Sequence, residues 1–398
     1  MIPAGTDIYN RALYADGAPH EVFAHLRRTD PVHWQDIPGQ RGYWALLTHE
    51  HVGWAGRNPG LLSSELGGVT VEDMDDGALD GFRQMLLGMD PPRHRTMRKP
   101  LVPEFSKKVI TGLEPMITRL TRSVLSEVDD GAEVDVVGLA AQLPTRIVGG
   151  MLGLPPEDWD HLHDLAAASA RSVSGEAEDA NNDAIGELAL YAIGHAARRR
   201  DQEPAPDLTS LILHGDFGGR QLDDIGFALL FVQLFIAAND TTVGMLAGGV
   251  HELLARPEQL ADLRADPGLM GGAVEEVLRY ANPLHYFRRT ATTDFEIGGR
   301  LIAAGDKVAL YYTSANRDET VFADPQSFDI RRSPNPQISF GMGEHFCLGV
   351  HLARLEGRVF LSELLAAFPT IERAGDATRT ASNFNNGLDT LPVLVRRA

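Results

Sequence analysis

The chain has 398 residues with 36 basic and 55 acidic side chains, giving a formal net charge of −19, and 43% of it is hydrophobic. This is an ordinary globular composition, long enough for two or three domains or one large enzyme unit, and its acidity excludes nucleic-acid and anionic-membrane partners, which need the opposite sign. A single cysteine excludes an intramolecular disulfide and a cysteine-rich zinc site.

The N-terminus shows no apolar run of the signal or anchor kind, so a cytoplasmic protein with no membrane anchor is expected. The first hundred or so residues are mixed, with Pro and Gly throughout. Ser64–Gly81, with four glycines and the acids Asp73, Asp75 and Asp76, reads as a mobile surface loop. Helical patterns dominate from Leu101 to Leu278. Leu222–Ala255 contains no proline and is apolar on most sides, which predicts one long helix through the middle of the molecule. Its glycines and the Thr241–Thr242 pair invite a local distortion. A helix over Leu269–Tyr280 ends before Pro283. Short β-like runs follow at Phe287–Ala291, Asp294–Ile297 and Lys307–Tyr312, punctuated by glycine turns. An irregular stretch, Asn316–Asn335, leads through a Gly-rich turn to a last helix, Leu348–Phe368. With no repeat or linker visible, 1–398 is expected to be one domain, mainly α with minor β; its β-richer N-terminal part and its helical core are not independent.

The lone Cys347 sits in Phe340-Gly341-Met342-Gly343-Glu344-His345-Phe346-Cys347-Leu348-Gly349, immediately before the last helix. A free cysteine is commonly a small buried hydrophobe. Here a helix N-terminus favours thiolate over thiol, and glycines let backbone amides approach the sulfur. A thiolate so placed is suited to ligate haem iron. The stretch resembles the haem-binding signature of the cytochrome P450 family, Phe-x-x-Gly-x-x-x-Cys-x-Gly, with Phe340, Gly343, Cys347 and Gly349 in register. The resemblance implies the P450-type fold, with a long central helix over the haem and small β regions. It makes Cys347 the metal ligand, Phe340, Gly341 and Gly349 part of the haem cradle, and His345 a propionate donor.

Further motifs carry the same resemblance. Glu276-Val277-Leu278-Arg279 matches the Glu-x-x-Arg pair, completed by an arginine from Phe328-Asp329-Ile330-Arg331-Arg332; Arg332 is preferred and Arg331 left open. Asp90-Pro91-Pro92-Arg93-His94-Arg95-Thr96-Met97-Arg98 resembles the start of the family's C helix. By that resemblance His94, Arg98 and Arg289 serve the propionates, sound electrostatics for two buried carboxylates. Gln337 stands where related sequences often carry His and keeps a donor for a carboxylate. In Ala237-Ala238-Asn239-Asp240-Thr241-Thr242 the family pattern has Thr241 bonding the Ala237 carbonyl, leaving a groove for O2, with Asp240 relaying protons; Ala238 replaces a common glycine.

The implied activity is insertion of one oxygen atom from O2 into a hydrophobic small molecule, with haem (heme b) as cofactor and a ferredoxin and ferredoxin reductase as partners. The family pattern lines the substrate space with Ser64–Gly88, Phe231–Thr241, Leu284–Phe287 and Asn383–Asn386, suggesting a steroid, terpenoid or lipid. Alternatives are tailoring of a polyketide or carrier-bound amino acid, and haem binding without oxygenase activity. A haem-free helical protein is what the motifs would mean if each were incidental. Between Pro91 and Ile110 six basic residues (Arg93, Arg95, Arg98, Lys99, Lys107, Lys108) face one acid, Glu104. With Arg354 and Arg358 they are expected to steer an acidic ferredoxin.

Overall fold

A computed structural model describes residues 7–173 and 178–397. Residues 174–177, inside the expected helical stretch, lie outside it. The chain divides into two compact units, one of residues 1–94, 272–347 and 379–387 and one of 95–271, 348–378 and 388–398.

The first unit is built on a five-stranded sheet ordered Val32–Ile37, Gln40–Leu46, Lys307–Tyr311, Tyr286–Ala291, Leu62–Ser63. Gln40–Leu46 and Lys307–Tyr311 run parallel; the other pairs are antiparallel. Alternation along the central strands feeds two cores, because successive side chains point to opposite faces. Tyr43, Ala45, Ala309 and Tyr311 join Tyr14, Phe23, Tyr286 and Phe384 in one, while Leu46, Val308 and Leu310 join Val52, Ala291 and Ile338 in the other.

The expected loose loop at Ser64–Gly81 is only half right. Its first part is strapped down: the Arg288 amide donates to the Val69 carbonyl at 2.8 Å, and the Lys307 ammonium to the Val71 carbonyl at 3.0 Å. Asp73 meets Arg288 at 3.2 Å and Lys307 at 2.8 Å, and Val71 is fully buried. Glycine is required here for close approach, since a Cβ at Gly67 would lie 2.5 Å from the Arg288 guanidinium. Only the second part, including the short helix Asp76–Phe82 with no buried residue, is exposed. Glycine and acid content alone misled, because Asp73 has two buried cations to neutralise.

The helix Met270–Tyr280 carries Glu276 and Arg279, both without solvent exposure of their side chains. Arg279 forks onto Glu276 through Nε at 2.8 Å and a second nitrogen at 2.7 Å. Arg332 completes the cluster, its Nε lying 3.1 and 3.2 Å from the two carboxylate oxygens, and Asn335 and the Asp329 amide also donate. Arg331 is exposed, and it is Arg332 that reaches Glu276.

The second unit is helical around Asp224–Leu254, which packs against Val136–Met151, Trp159–Val173, Glu178–Arg199 and Val350–Ala367. Asp223 caps its start, accepting from the Gly226 amide at 2.7 Å. The helix is continuous over 31 residues, so the Thr241–Thr242 pair does not interrupt it. It is long and apolar enough to cross a membrane by composition, but half of its most apolar window is buried inside the fold. A three-stranded antiparallel sheet, Glu133–Asp135, Pro392–Arg396 and Thr370–Arg373, completes the unit.

Arg332→Ala is expected to cost about 3 kcal/mol, because it leaves a buried carboxylate under-neutralised. Arg331→Ala should stay within about 0.5 kcal/mol. Urea unfolding midpoints of the two variants check this, and equal losses would remove Arg332 from its place.

Candidate active site

In the first unit the loop ahead of Cys347 is held by its own backbone. Gly341 donates to Ile338 at 2.9 Å, Cys347 to Phe340 at 2.9 Å and Phe346 to Gly343 at 3.1 Å. Gly343 has φ +73°, and a Cβ there would collide with the Gly56 carbonyl, so no other residue fits. Gly341, at φ +71°, meets only the Tyr312 hydroxyl, 3.6 Å from where its Cβ would stand, and Gly349 meets nothing within 4 Å. The loop thus presents an open face at Gly341 ahead of a half-buried thiol, room suited to a flat group.

Two of the expected propionate donors, His94 and His345, meet in the first unit. The His94 and His345 rings lie 4.1 Å apart, His94 Nδ1 is 3.3 Å from Glu344, and His345 Nε2 is 3.2 Å from the Ser64 hydroxyl. The Ser64 amide donates to Asp90 at 2.8 Å. Arg289 is 8% exposed, donates to the Arg288 carbonyl and, among the described residues, forms no ion pair. Burial lowers its pKa, with Tyr312 and Asp90 acting weakly the other way. A buried guanidinium without a carboxylate is costly and calls for an anion. That orphaned cation and the open glycine face fit a planar group bearing carboxylates. Arg98 lies one helical turn beyond His94 on Arg93–Arg98, where the chain passes into the second unit.

In the second unit Thr241 Oγ1 donates to the Ala237 carbonyl at 3.0 Å, as expected. Asp240 makes no hydrogen bond or ion pair among the described residues, and burial alone pushes its pKa up to about 6. Two residues escaped the sequence reading. Thr242 donates to Glu356 at 3.3 Å; Glu356 is 3% exposed, its other oxygen has no partner, and burial pushes its pKa up to about 8. The available signal was an acid set among Leu352, Leu355 and Val359 on one apolar helix face. Asn239 is the other, and accepts from Thr145 at 2.8 Å.

Other expectations need correction. His285 and Tyr286 do not line open space: His285 bonds Thr313 and packs on Tyr14, while the Tyr286 hydroxyl accepts from the Val71 amide. Asn383 is spent on the Tyr9 carbonyl, and Phe384, Phe231 and Phe235 are buried. Of the basic residues expected to steer a ferredoxin, Arg93 binds Gln84, Arg95 has an interaction within the protein, and Arg358 pairs with Glu114 at 2.9 Å. Gln337 does donate to a carboxylate, that of Glu275 at 3.1 Å.

A single thiol in such a loop, on this arrangement of sheet and helices, defines a haem-thiolate oxygenase. The Cytochrome P450 family profile matches residues 268–391. A methyl-branched lipid omega-hydroxylase of Mycobacterium tuberculosis is 36% identical over 98% of this chain and 94% of its own length. Linalool 8-monooxygenase of Pseudomonas putida is 33% identical over 98% of both chains. A Mycobacterium marinum cytochrome P450 solved in complex with pseudoionone superposes with a TM-score of 0.90 at 34% identity, covering 99% of each. The chain belongs to the cytochrome P450 family, and is a haem-thiolate monooxygenase.

Glu356 makes stability pH-dependent. Its folded pKa of about 8 lies above the ordinary 4.5, so between these values the folded state holds more protons and stability falls as pH rises. The loss is on the order of 4 kcal/mol. Glu356→Gln should flatten the melting temperature between roughly pH 5 and 8 and exceed the parent above it. Parallel melting curves in both proteins would refute the burial argument.

Proposed function

We propose that Cys347 would hold the iron of a bound haem as a thiolate and that the enzyme hydroxylates a terpenoid, branched lipid or steroid. The balanced reaction is R–H + O2 + two electrons + two protons giving R–OH + H2O. Bound haem supplies the oxygen-activating chemistry. Phe340, Gly341 and, by the family pattern, Gly349 would bear against it, and Arg289, His94, His345 and, by the same pattern, Arg98 would neutralise its carboxylates.

The observation carrying oxygenase chemistry is Asp240, a carboxyl with no internal partner and a pKa near neutrality, next to Thr241. Proton delivery needs a titratable group near the working pH and a hydroxyl to pass the proton on. Asp240 takes up the proton at its carboxylate, and Thr241, anchored to Ala237, holds the hydroxyl at a fixed place. A haem-binding sensor needs neither. The substrate class rests on the relatives: one is named for a terpenoid, one for a methyl-branched lipid, and one is solved with pseudoionone. The long helix, packed on four others, supports a soluble cytoplasmic enzyme.

Linalool, pseudoionone, testosterone and a methyl-branched fatty acid should be screened for a spectral shift and turnover with surrogate redox proteins. Cys347→Ala should abolish the long-wavelength absorption of the reduced carbon monoxide complex. Thr241→Ala should bind the same compounds yet release most of its electrons as hydrogen peroxide. Retention of the band by Cys347→Ala, or tight coupling in Thr241→Ala, would falsify the assignment.

Electrons come from a separate acidic ferredoxin in this reading. Lys99, Lys107 and Lys108 are exposed and form no ion pair among the described residues, with Val102 exposed beside them in sequence. Reversing the three lysines to Glu should slow reduction several-fold at low salt, the difference shrinking as salt screens the attraction. Rates indifferent to both reversal and salt would move the docking face elsewhere.

A further inference from the structure

The catalytic acid has no bond of its own to orient it. Asp240 is aimed only by the turn of helix that bears it, so whatever fixes that turn fixes the acid. Two neighbours hold it. Thr242 is tied to Glu356 on the helix Val350–Ala367, and Asn239 is tied to Thr145 on the helix Val136–Met151.

The second tie is the unusual one. Asn239 is 6% exposed and Thr145 fully buried, yet both carry polar side chains in mid-helix, where apolar residues would pack without cost. Thr145 Oγ1 donates to Asn239 Oδ1 at 2.8 Å, which fixes the amide's sense and leaves Asn239 Nδ2 to donate to the Phe235 carbonyl at 2.7 Å. Phe235 is four residues back, as Ala237 is from Thr241. Two carbonyls of one turn therefore accept side-chain donors, and such back-bonding bends a helix locally. Pro144, directly before Thr145, also withdraws a backbone donor from the partner helix at that level.

We propose that Thr145 and Asn239 form a clamp that fixes the turn carrying Asp240 and Thr241, making Asn239 a positioning residue for proton delivery. The clamp rests on the role proposed above for those two residues. Thr145 also lines a surface cleft of about 300 Å³ with Arg146, Asp160, His163 and Asp164. Neither these four nor Glu356 bonds to Asp240 among the described residues.

The test uses the haem-loaded enzyme and four variants: Thr145→Val, Asn239→Leu, their combination, and Thr145→Ser. Coupling is read as peroxide released per NADH with whichever of linalool, pseudoionone, testosterone or the branched fatty acid turns over fastest. Both single variants should raise peroxide roughly threefold or more, and Thr145→Ser should restore coupling. The double variant pairs two apolar groups, so it should regain the melting temperature the singles lose while still leaking peroxide. A readout independent of turnover is the Asp240 carboxylic-acid infrared band, identified by its loss in Asp240→Asn; its titration midpoint should move by roughly half a unit or more in Thr145→Val. Coupling and midpoint both unchanged in the single variants overturn the clamp. So does a leak that disappears with recovered stability in the double variant. Thr241→Ala separates the two levels: if it leaks while Thr145→Val stays tight, the clamp alone fails, and if it stays tight, the proton-delivery reading falls and the clamp's role with it.

Discussion

A carboxylate taken wholly out of water must be met by cations and donors on every lone pair, and Glu276 is met in that way. Arg279, Arg332, Asn335 and the Asp329 amide all converge on it. Arg279 reaches on to the carbonyls of Asn316, Pro325 and Ser327, so the irregular stretch after the sheet is drawn onto the helix Met270–Tyr280. Asn316 in turn bonds Ser339 and the Ile338 amide, and Ser339 bonds the Leu278 carbonyl. Those are the residues from which the cysteine loop departs. Without Glu276, a chain with almost no secondary structure from Asn316 to Ser339 has little to fix the starting point of the loop. The thiol's position is thus inherited from a buried ion cluster more than from the loop's own hydrogen bonds.

Much of this was legible in the sequence because it depends on residue type at fixed spacing. The long helix was foreseen from its uninterrupted apolarity and fell within two residues of its expected ends. The cysteine loop was readable from three glycines, one of which no other residue can replace. The bond from Thr241 to Ala237 followed from i−4 geometry. What could not be read were choices made across the chain. Arg331 and Arg332 are equivalent as letters and differ only in which one reaches Glu276. Ser64–Gly81 looked loose because its composition says nothing of Arg288 and Lys307, more than two hundred residues later. His285 and Tyr286 looked like ligand-facing polar groups, yet both are buried, His285 bonding Thr313 and the Tyr286 oxygen accepting from the Val71 amide.

The ionisable groups withdrawn from water differ in whether an opposite charge meets them. Glu276, Arg279 and Arg332 are paired, as a buried charge must be if it is only structural. Arg289, Asp240 and Glu356 are not: each is pushed toward its neutral form, mainly by burial. An arrangement selected for stability alone would replace such groups by hydrophobes of similar volume, since unpaired buried charge is a net cost. Arg289, which forms no ion pair among the described residues, carries a charge that a bound anion would offset. For the two acids what differs is how far their pKa values move. Burial pushes Asp240 up to about 6 and Glu356 up to about 8, so two carboxyls tied to one helix are displaced by different amounts, a difference set by environment rather than by residue type.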